Sequence, residues 1–155
     1  MDVRADAALL VGEWSGHNKL WLGPDEPVRE SSTSASVTAA AGGRFLVITY
    51  TWTDRGQPHD GVLMVRVDDE PSPQDMVWVD SFHTMGQFMR FEGKSSGDGS
   101  IQGTTKWSPG SGPDWGWRIA LSSAGPDDLL VSMFIETPDG EEAPAVESRF
   151  ARVAA

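Results

Sequence analysis

The segment RFLVITYTWTDRGQPHDGVLMVRVD, residues 44–68, decides the fold. Phe45, Val47, Thr49 and Thr51 fall on one face of an extended chain, and Leu46, Ile48, Tyr50 and Trp52 on the other. The period is two residues, which is strand patterning and not helical patterning. Both faces are fairly apolar, which fits a wall packed on each side or an oligomer contact. The cluster TDRGQP at 53–58 then turns the chain, since Gly, Pro and Asp each favour turn geometry for a stereochemical reason.

The same alternation recurs on either side. Met76, Trp78, Asp80 and Phe82 oppose Val77, Val79, Ser81 and His83. Trp115, Trp117, Ile119 and Leu121 oppose Gly116, Arg118, Ala120 and Ser122, and Leu129, Val131, Met133 and Ile135 oppose Leu130, Ser132, Phe134 and Glu136. Further turn clusters stand at 23–27, 41–43, 68–75, 95–100, 108–114, 124–128 and 137–142. Strands are predicted at 13–22, 29–40, 44–53, 59–68, 75–82, 86–93, 100–107, 115–123, 128–136 and 144–153, after a short helix at 4–10 that acts as lid or plug. Strands joined by hairpins, without crossover helices, must pair antiparallel. Closing the sheet removes its exposed edges. The expectation is an all-β chain: a single antiparallel up-and-down β-barrel of about ten strands, one domain over residues 1–155.

Composition narrows the function. The chain has 155 residues and no cysteine, which removes disulfides, thiolate nucleophiles and Cys-based metal sites. The start carries Asp2 and Asp6 and an apolar run of only five residues, Ala7 to Val11, short of what a signal peptide needs, and no stretch approaches the ~18 apolar residues of a membrane span. A cytoplasmic protein is expected. A net charge of −11 argues against nucleic acid, which needs clustered Lys and Arg. The acids gather in turns, whereas Arg44, Arg66, Arg90, Arg118 and Arg149 lie inside strands. Either the acids form a solvated rim, or some mid-strand arginines face an interior that holds an anionic group.

Gly12-Glu13-Trp14-Ser15-Gly16 resembles the Gly-x-Trp opening of calycins. Gly-Gly-Arg-Phe-Leu, His-Asp-Gly-Val-Leu, Trp-Val-Asp-Ser and Glu-Ser-Arg-Phe-Ala-Arg follow in order. Together they resemble the bacterial DUF1579 group of calycin-like (lipocalin-like) proteins over most of the chain, and more distantly nitrobindin-type haem barrels and fatty-acid-binding proteins. The resemblance implies a barrel with an interior cavity and no agreed activity. It implies that Trp14 plugs one end, with a basic residue of the last strand, Arg149 or Arg152, packed across it. Nitrobindin-like proteins carry a haem-ligating His near the last strand. This sequence has no histidine after His83, so no haem or other cofactor is expected. Fatty-acid-binding proteins hold a carboxylate with an Arg-x-Tyr pair; here Arg149 precedes Phe150 and Ala151.

Asp80, Ser81 and His83 are the residue types of a hydrolytic triad. On a strand, however, Asp80 points away from the other two, and Ser81 and His83 stand about 6.6 Å apart, beyond the ~3 Å a nucleophile and base require. No catalytic residue is assigned. His17, His59 and His83 show no metal-ligand spacing, and no metal is expected. Seven tryptophans, Trp14, Trp21, Trp52, Trp78, Trp107, Trp115 and Trp117, fill a core or wall a pocket for a flat or apolar ligand. Trp78, Trp115 and Trp117 are the candidate pocket walls, with adaptable methionines, Met133 among them. Asp80, His83, Arg90, Arg118 and Arg149 are the candidate polar groups of a barrel interior. Trp14 and Arg152 are the candidate plug.

The expected function is binding of a small, mostly apolar or amphipathic molecule inside the barrel, an anionic head pairing with an interior arginine. The alternatives are an enzyme using the same cavity, and a filled barrel with no ligand whose strand at 44–53 forms a homodimer seam.

Overall fold

The computed structural model describes residues 1–68, 75–94 and 96–154. Among them, ten strands follow a single 3₁₀ turn at Ala7–Leu10: β1 Gly12–Leu20, β2 Arg29–Ala40, β3 Phe45–Asp54, β4 Gln57–Arg66, β5 Met76–Asp80, β6 Met89–Lys94, β7 Ile101–Trp107, β8 Trp115–Ser122, β9 Asp128–Glu136 and β10 Glu142–Arg152. Each pairs antiparallel with its sequence neighbours, and β1 also pairs with β10, so the sheet closes into an up-and-down barrel. The turn expected at 68–75 lies, apart from its two ends, outside the described residues, as does Ser95 of the cluster at 95–100. No helix of the described residues is long and apolar enough to cross a membrane.

Closure decides which faces point inward. Leu46, Ile48 and Trp52 of β3 are buried, with Leu63 and Val65 of β4, Met76 and Trp78 of β5, Trp117, Ile119 and Leu121 of β8, and Leu129, Val131 and Met133 of β9. Each set keeps the two-residue alternation, so the hydrophobic effect selects one register and disfavours a one-residue slip. Each large apolar side chain buried this way contributes roughly 1.5–3 kcal/mol.

The expected helix at 4–10 shrinks to the turn Ala7–Leu10. The Asp2 carboxylate accepts the N–H groups of Arg4 and Ala5, which folds the start into a tight turn instead of a helix. Val3 and Leu10 are nonetheless fully buried, and the segment caps the end of the barrel that Trp14 fills.

At that end the Trp14 ring N–H donates to the Leu10 carbonyl at 2.9 Å. The Arg152 guanidinium lies 4.5 Å from the Trp14 ring centroid. It donates to the carbonyls of Val11 (2.9 Å) and Pro126 (2.6 Å), and also to that of Leu9. Gly12 makes room for it: its φ is +146°, and a Cβ there would stand 2.5 Å from Nη1 of Arg152.

Candidate functional site

The far end of the barrel is organised by Asp80, the last residue of β5. Register aligns Tyr50 of β3 with Gly61 of β4, and Gly61 with Asp80. Gly61 presents no side chain, so the Tyr50 phenol passes over it and donates to Asp80 Oδ2 at 2.6 Å. Trp52 Nε1 donates to the same oxygen at 3.2 Å. Oδ1 accepts the backbone N–H groups of Phe82 (2.8 Å) and His83 (2.9 Å). Four donors therefore satisfy a buried carboxylate.

This arrangement ends β5. The strand predicted to run to residue 82 stops at Asp80, because the side chain draws the next amides back into an Asx-type turn. His83 consequently does not point away from Asp80, as strand geometry implied; both line one cavity. Ser81 has a different imidazole as partner, since its Oγ lies 2.9 Å from Nδ1 of His59.

His83 sits in an aromatic box. Its ring lies 5.7 Å from Trp52, 5.4 Å from Trp78 and 5.5 Å from Trp117. Burial holds its imidazole down at about 4, against an ordinary 6.5, although Asp80 pulls the other way. His83 is therefore neutral at pH 7. Burial, with the Asp80 carboxylate second, pushes the Tyr50 phenol well above its ordinary value. That hydroxyl also accepts from Trp78 Nε1 at 2.8 Å.

Two spaces meet at Trp78 and His83. The inner one, between Ile48, Leu63, Met133 and Phe150, has a volume of about 30 Å³, room for about one water. The outer one is a cleft of about 590 Å³, within the ~300–1,000 Å³ usual for small-molecule sites.

The cleft exists because β6 is shared. Met89, Arg90 and Phe91 pair with β5, whereas Glu92, Gly93 and Lys94 pair with β7. Beyond Glu92 and Thr104 the two strands part, and Thr105, Lys106 and Trp107 pair with β8. The gap lies between Met89–Arg90 and Thr105–Trp107, with Trp78, His83 and Trp117 lining it. Trp78 and Trp117 stack at 5.6 Å and 18°. Phe88, which is 74% exposed, stands on its rim.

Among the described residues, Nε1 of Trp107, Nε1 of Trp117 and Nε2 of His83 are buried without a hydrogen-bond partner in the protein. All three residues line the cleft. A buried polar atom left unpaired costs about 1–3 kcal/mol, so three on residues of one cleft single it out as the candidate site.

The sequence candidates divide accordingly. Trp78, Asp80, His83 and Met133 converge on the inner space; Trp78, His83, Trp117 and Arg90 border the cleft. Trp115 packs at 6.2 Å against Trp107 instead. Arg118 and Arg149 are corrected as interior candidates: alternation turns both outward. Arg118 forms a two-pronged pair with Glu142, at 3.0 and 2.7 Å, and covers the Phe134 ring. Arg149 lies 3.6 Å from Asp128 with its side chain 59% exposed. Tyr50, Trp107 and Phe88 were not among the candidates. Tyr50 is the only tyrosine in the chain, and its role emerges only once the register places it beside Gly61. Among the described residues, no group of three His, Asp or Glu side chains is arranged to hold a metal.

A family model described as "Protein of unknown function (DUF1579)" matches residues 6–152. Among solved structures, the chain is similar to Rv2717c from M. tuberculosis, with 16% identity, 99% of this chain and 98% of that one covered, and a TM-score of 0.60. It is similar also to the S-type phycobiliprotein lyase CPES from Guillardia theta, with 15% identity, coverage of 100% and 94%, and a TM-score of 0.64. A de novo designed fluorescence-activating β-barrel matches at 17% identity, coverage of 99% of each chain and a TM-score of 0.48. At these identities the likeness is one of fold. No curated protein matches the sequence.

Proposed function

The chain belongs to the DUF1579 family of proteins of unknown function, and on that premise we propose that it is a binding protein whose small, mostly apolar ligand sits in the cleft between β6 and β7. The observation that carries this reading is the set of unpaired buried atoms on Trp107, Trp117 and His83, gathered around a space of about 590 Å³. Burial of apolar ligand surface against the indoles supplies affinity, at roughly 25 cal/mol per Å². The indole N–H groups supply orientation. The inner space, at about 30 Å³, is too small for such a ligand, so the site moves from the barrel's interior to its mouth. The net charge of −11 fits a carrier or sensor that does not engage nucleic acid.

The test is thermal stability and intrinsic tryptophan fluorescence against a panel of fatty acids, aromatic acids and haem. A ligand that binds only the folded state adds ~2.7 kcal/mol at a hundred times its dissociation constant. The expected result is a stabilising shift with quenching for at least one class, lost in Trp117→Ala. A flat response to the whole panel overturns the reading.

One observation favours a second reading, a homodimer with a filled barrel. Val47, Met64 and Val77 align in one register row across β3, β4 and β5, and Met64 is 39% exposed on the outer wall. A mass that rises with concentration, together with no ligand response, would support it.

A further inference from the structure

Resting on the cleft as the ligand site, we propose that its ligand is a planar aromatic acid, with its ring against the indoles of Trp78, Trp107 and Trp117 and its carboxylate toward Arg90. The first observation is charge. The chain carries 23 acidic residues against 12 Lys and Arg, yet among the described residues no acidic one lines the cleft, and Arg90 and Lys106 do. The Lys106 ammonium is committed to Glu136 at 3.2 Å. Arg90 is exposed and, unlike Arg118 and Arg149, has no ion pair among the described residues. It is the uncommitted cation at the rim.

The second observation is hydrogen-bond polarity. An indole N–H only donates, and so does a guanidinium. Trp107 and Trp117 hold donors with no partner in the protein, and an occupant that accepts can pair with them. A carboxylate or ring-bound oxygen accepts; an ammonium does not. The third is shape. Trp78 and Trp117 stack on each other and, with Trp107, make the lining strongly aromatic, which favours a flat aromatic occupant. Indole faces alone would also attract a cation, but nothing anionic in the lining would neutralise it, and Arg90 would repel it.

Three naphthalene probes of one shape decide the matter: 1-naphthoate, 1-naphthamide and 1-naphthylmethylamine, titrated calorimetrically at low ionic strength. Naphthoate is expected to bind about five-fold tighter than the amide, as a partly exposed ion pair allows, with the amine weakest. Arg90→Met should erase the advantage of naphthoate and leave the amide unchanged. Trp117→Phe should weaken naphthoate and amide alike, by roughly tenfold. The acid proposal is overturned if the amine binds as well as naphthoate, or if the naphthoate advantage survives Arg90→Met. Equal binding of all three, weakened by Trp117→Phe, keeps the cleft as a site and removes only the acid. No binding of any probe at millimolar concentration overturns the aromatic-acid proposal and leaves the cleft itself to be judged by the wider panel.

Discussion

The Tyr50 hydroxyl and the Asp80 carboxylate lie 2.6 Å apart across a strand that separates them, because Gly61 of that strand has no side chain. Tyr50→Phe deletes a donor to Asp80 and the acceptor of Trp78 Nε1. The ring keeps its packing, so the loss isolates the hydrogen bonds. Destabilisation of about 1–3 kcal/mol is expected, read from the midpoint of urea unfolding. A variant as stable as the parent would mean that Trp52 and the backbone amides satisfy Asp80 without the phenol.

Gly61→Ala tests the same arrangement from the other side. A Cβ there would collide with the Tyr50 hydroxyl, and would stand 2.6 Å from the Val79 carbonyl. The phenol can swing away but the carbonyl is backbone. A cost of about 1–3 kcal/mol, typical of overpacking, is expected, and Gly61→Ala combined with Tyr50→Phe should cost less than the two changes summed. Full additivity would count against the shared contact.

His83 makes stability depend on pH. Its imidazole is held at about 4 in the fold, mainly by burial, against an ordinary 6.5. Between those values the unfolded chain takes up a proton that the folded chain refuses. The contribution of His83 is therefore complete above pH 6.5, falls as the pH drops toward 4, and changes no further below that. A displacement of this size is worth roughly 3 kcal/mol. His83→Phe keeps an aromatic ring in the box and should flatten the stability profile across this window. A parent and a variant with the same slope would show that other groups set the acid response.

The barrel was legible in the sequence because alternation and turn chemistry are local. Leu46, Ile48, Tyr50 and Trp52 share a face whatever the rest of the chain does. Which face is inner was not legible, since β3 is apolar on both and only closure chooses. The site was half legible. Trp78 and His83 were candidates by residue type, but the turn that brings His83 beside Asp80 depends on a side chain capping its own following amides. Arg118 and Arg149 were misplaced because a charged residue inside a strand looks the same whether it faces a cavity or pairs with Glu142 or Asp128 on the outside. The cleft itself was invisible, because it arises where β6 changes partners.

The two arginines of the last strand should differ sharply. Arg152 covers Trp14 and donates to three backbone carbonyls, so Arg152→Met removes charge-assisted hydrogen bonds and the contact with the indole face and is expected to cost about 1–3 kcal/mol. Arg149 is exposed, with longer ion pairs to Asp128 and Glu147 at 3.6 and 3.9 Å. Arg149→Met should stay within about 0.5 kcal/mol of the parent. Paired thermal denaturation of the two variants checks this, and equal effects would mean that Trp14 is capped by packing and not by the guanidinium.

Phe88 separates stability from binding. It lines the cleft yet is 74% exposed, so the fold gains little from it, and Phe88→Ser should change stability by less than about 0.5 kcal/mol. An occupant of the cleft would cover that ring and bury its apolar surface. The variant should therefore bind an aromatic probe several-fold more weakly, since about 1.4 kcal/mol separates each tenfold step. Unfolding and titration measured on one preparation make the comparison. A fall in stability comparable to that of a core substitution would place Phe88 inside the packed structure. Unchanged stability with unchanged affinity would place the ligand deeper, against Trp78 and His83, out of reach of the rim.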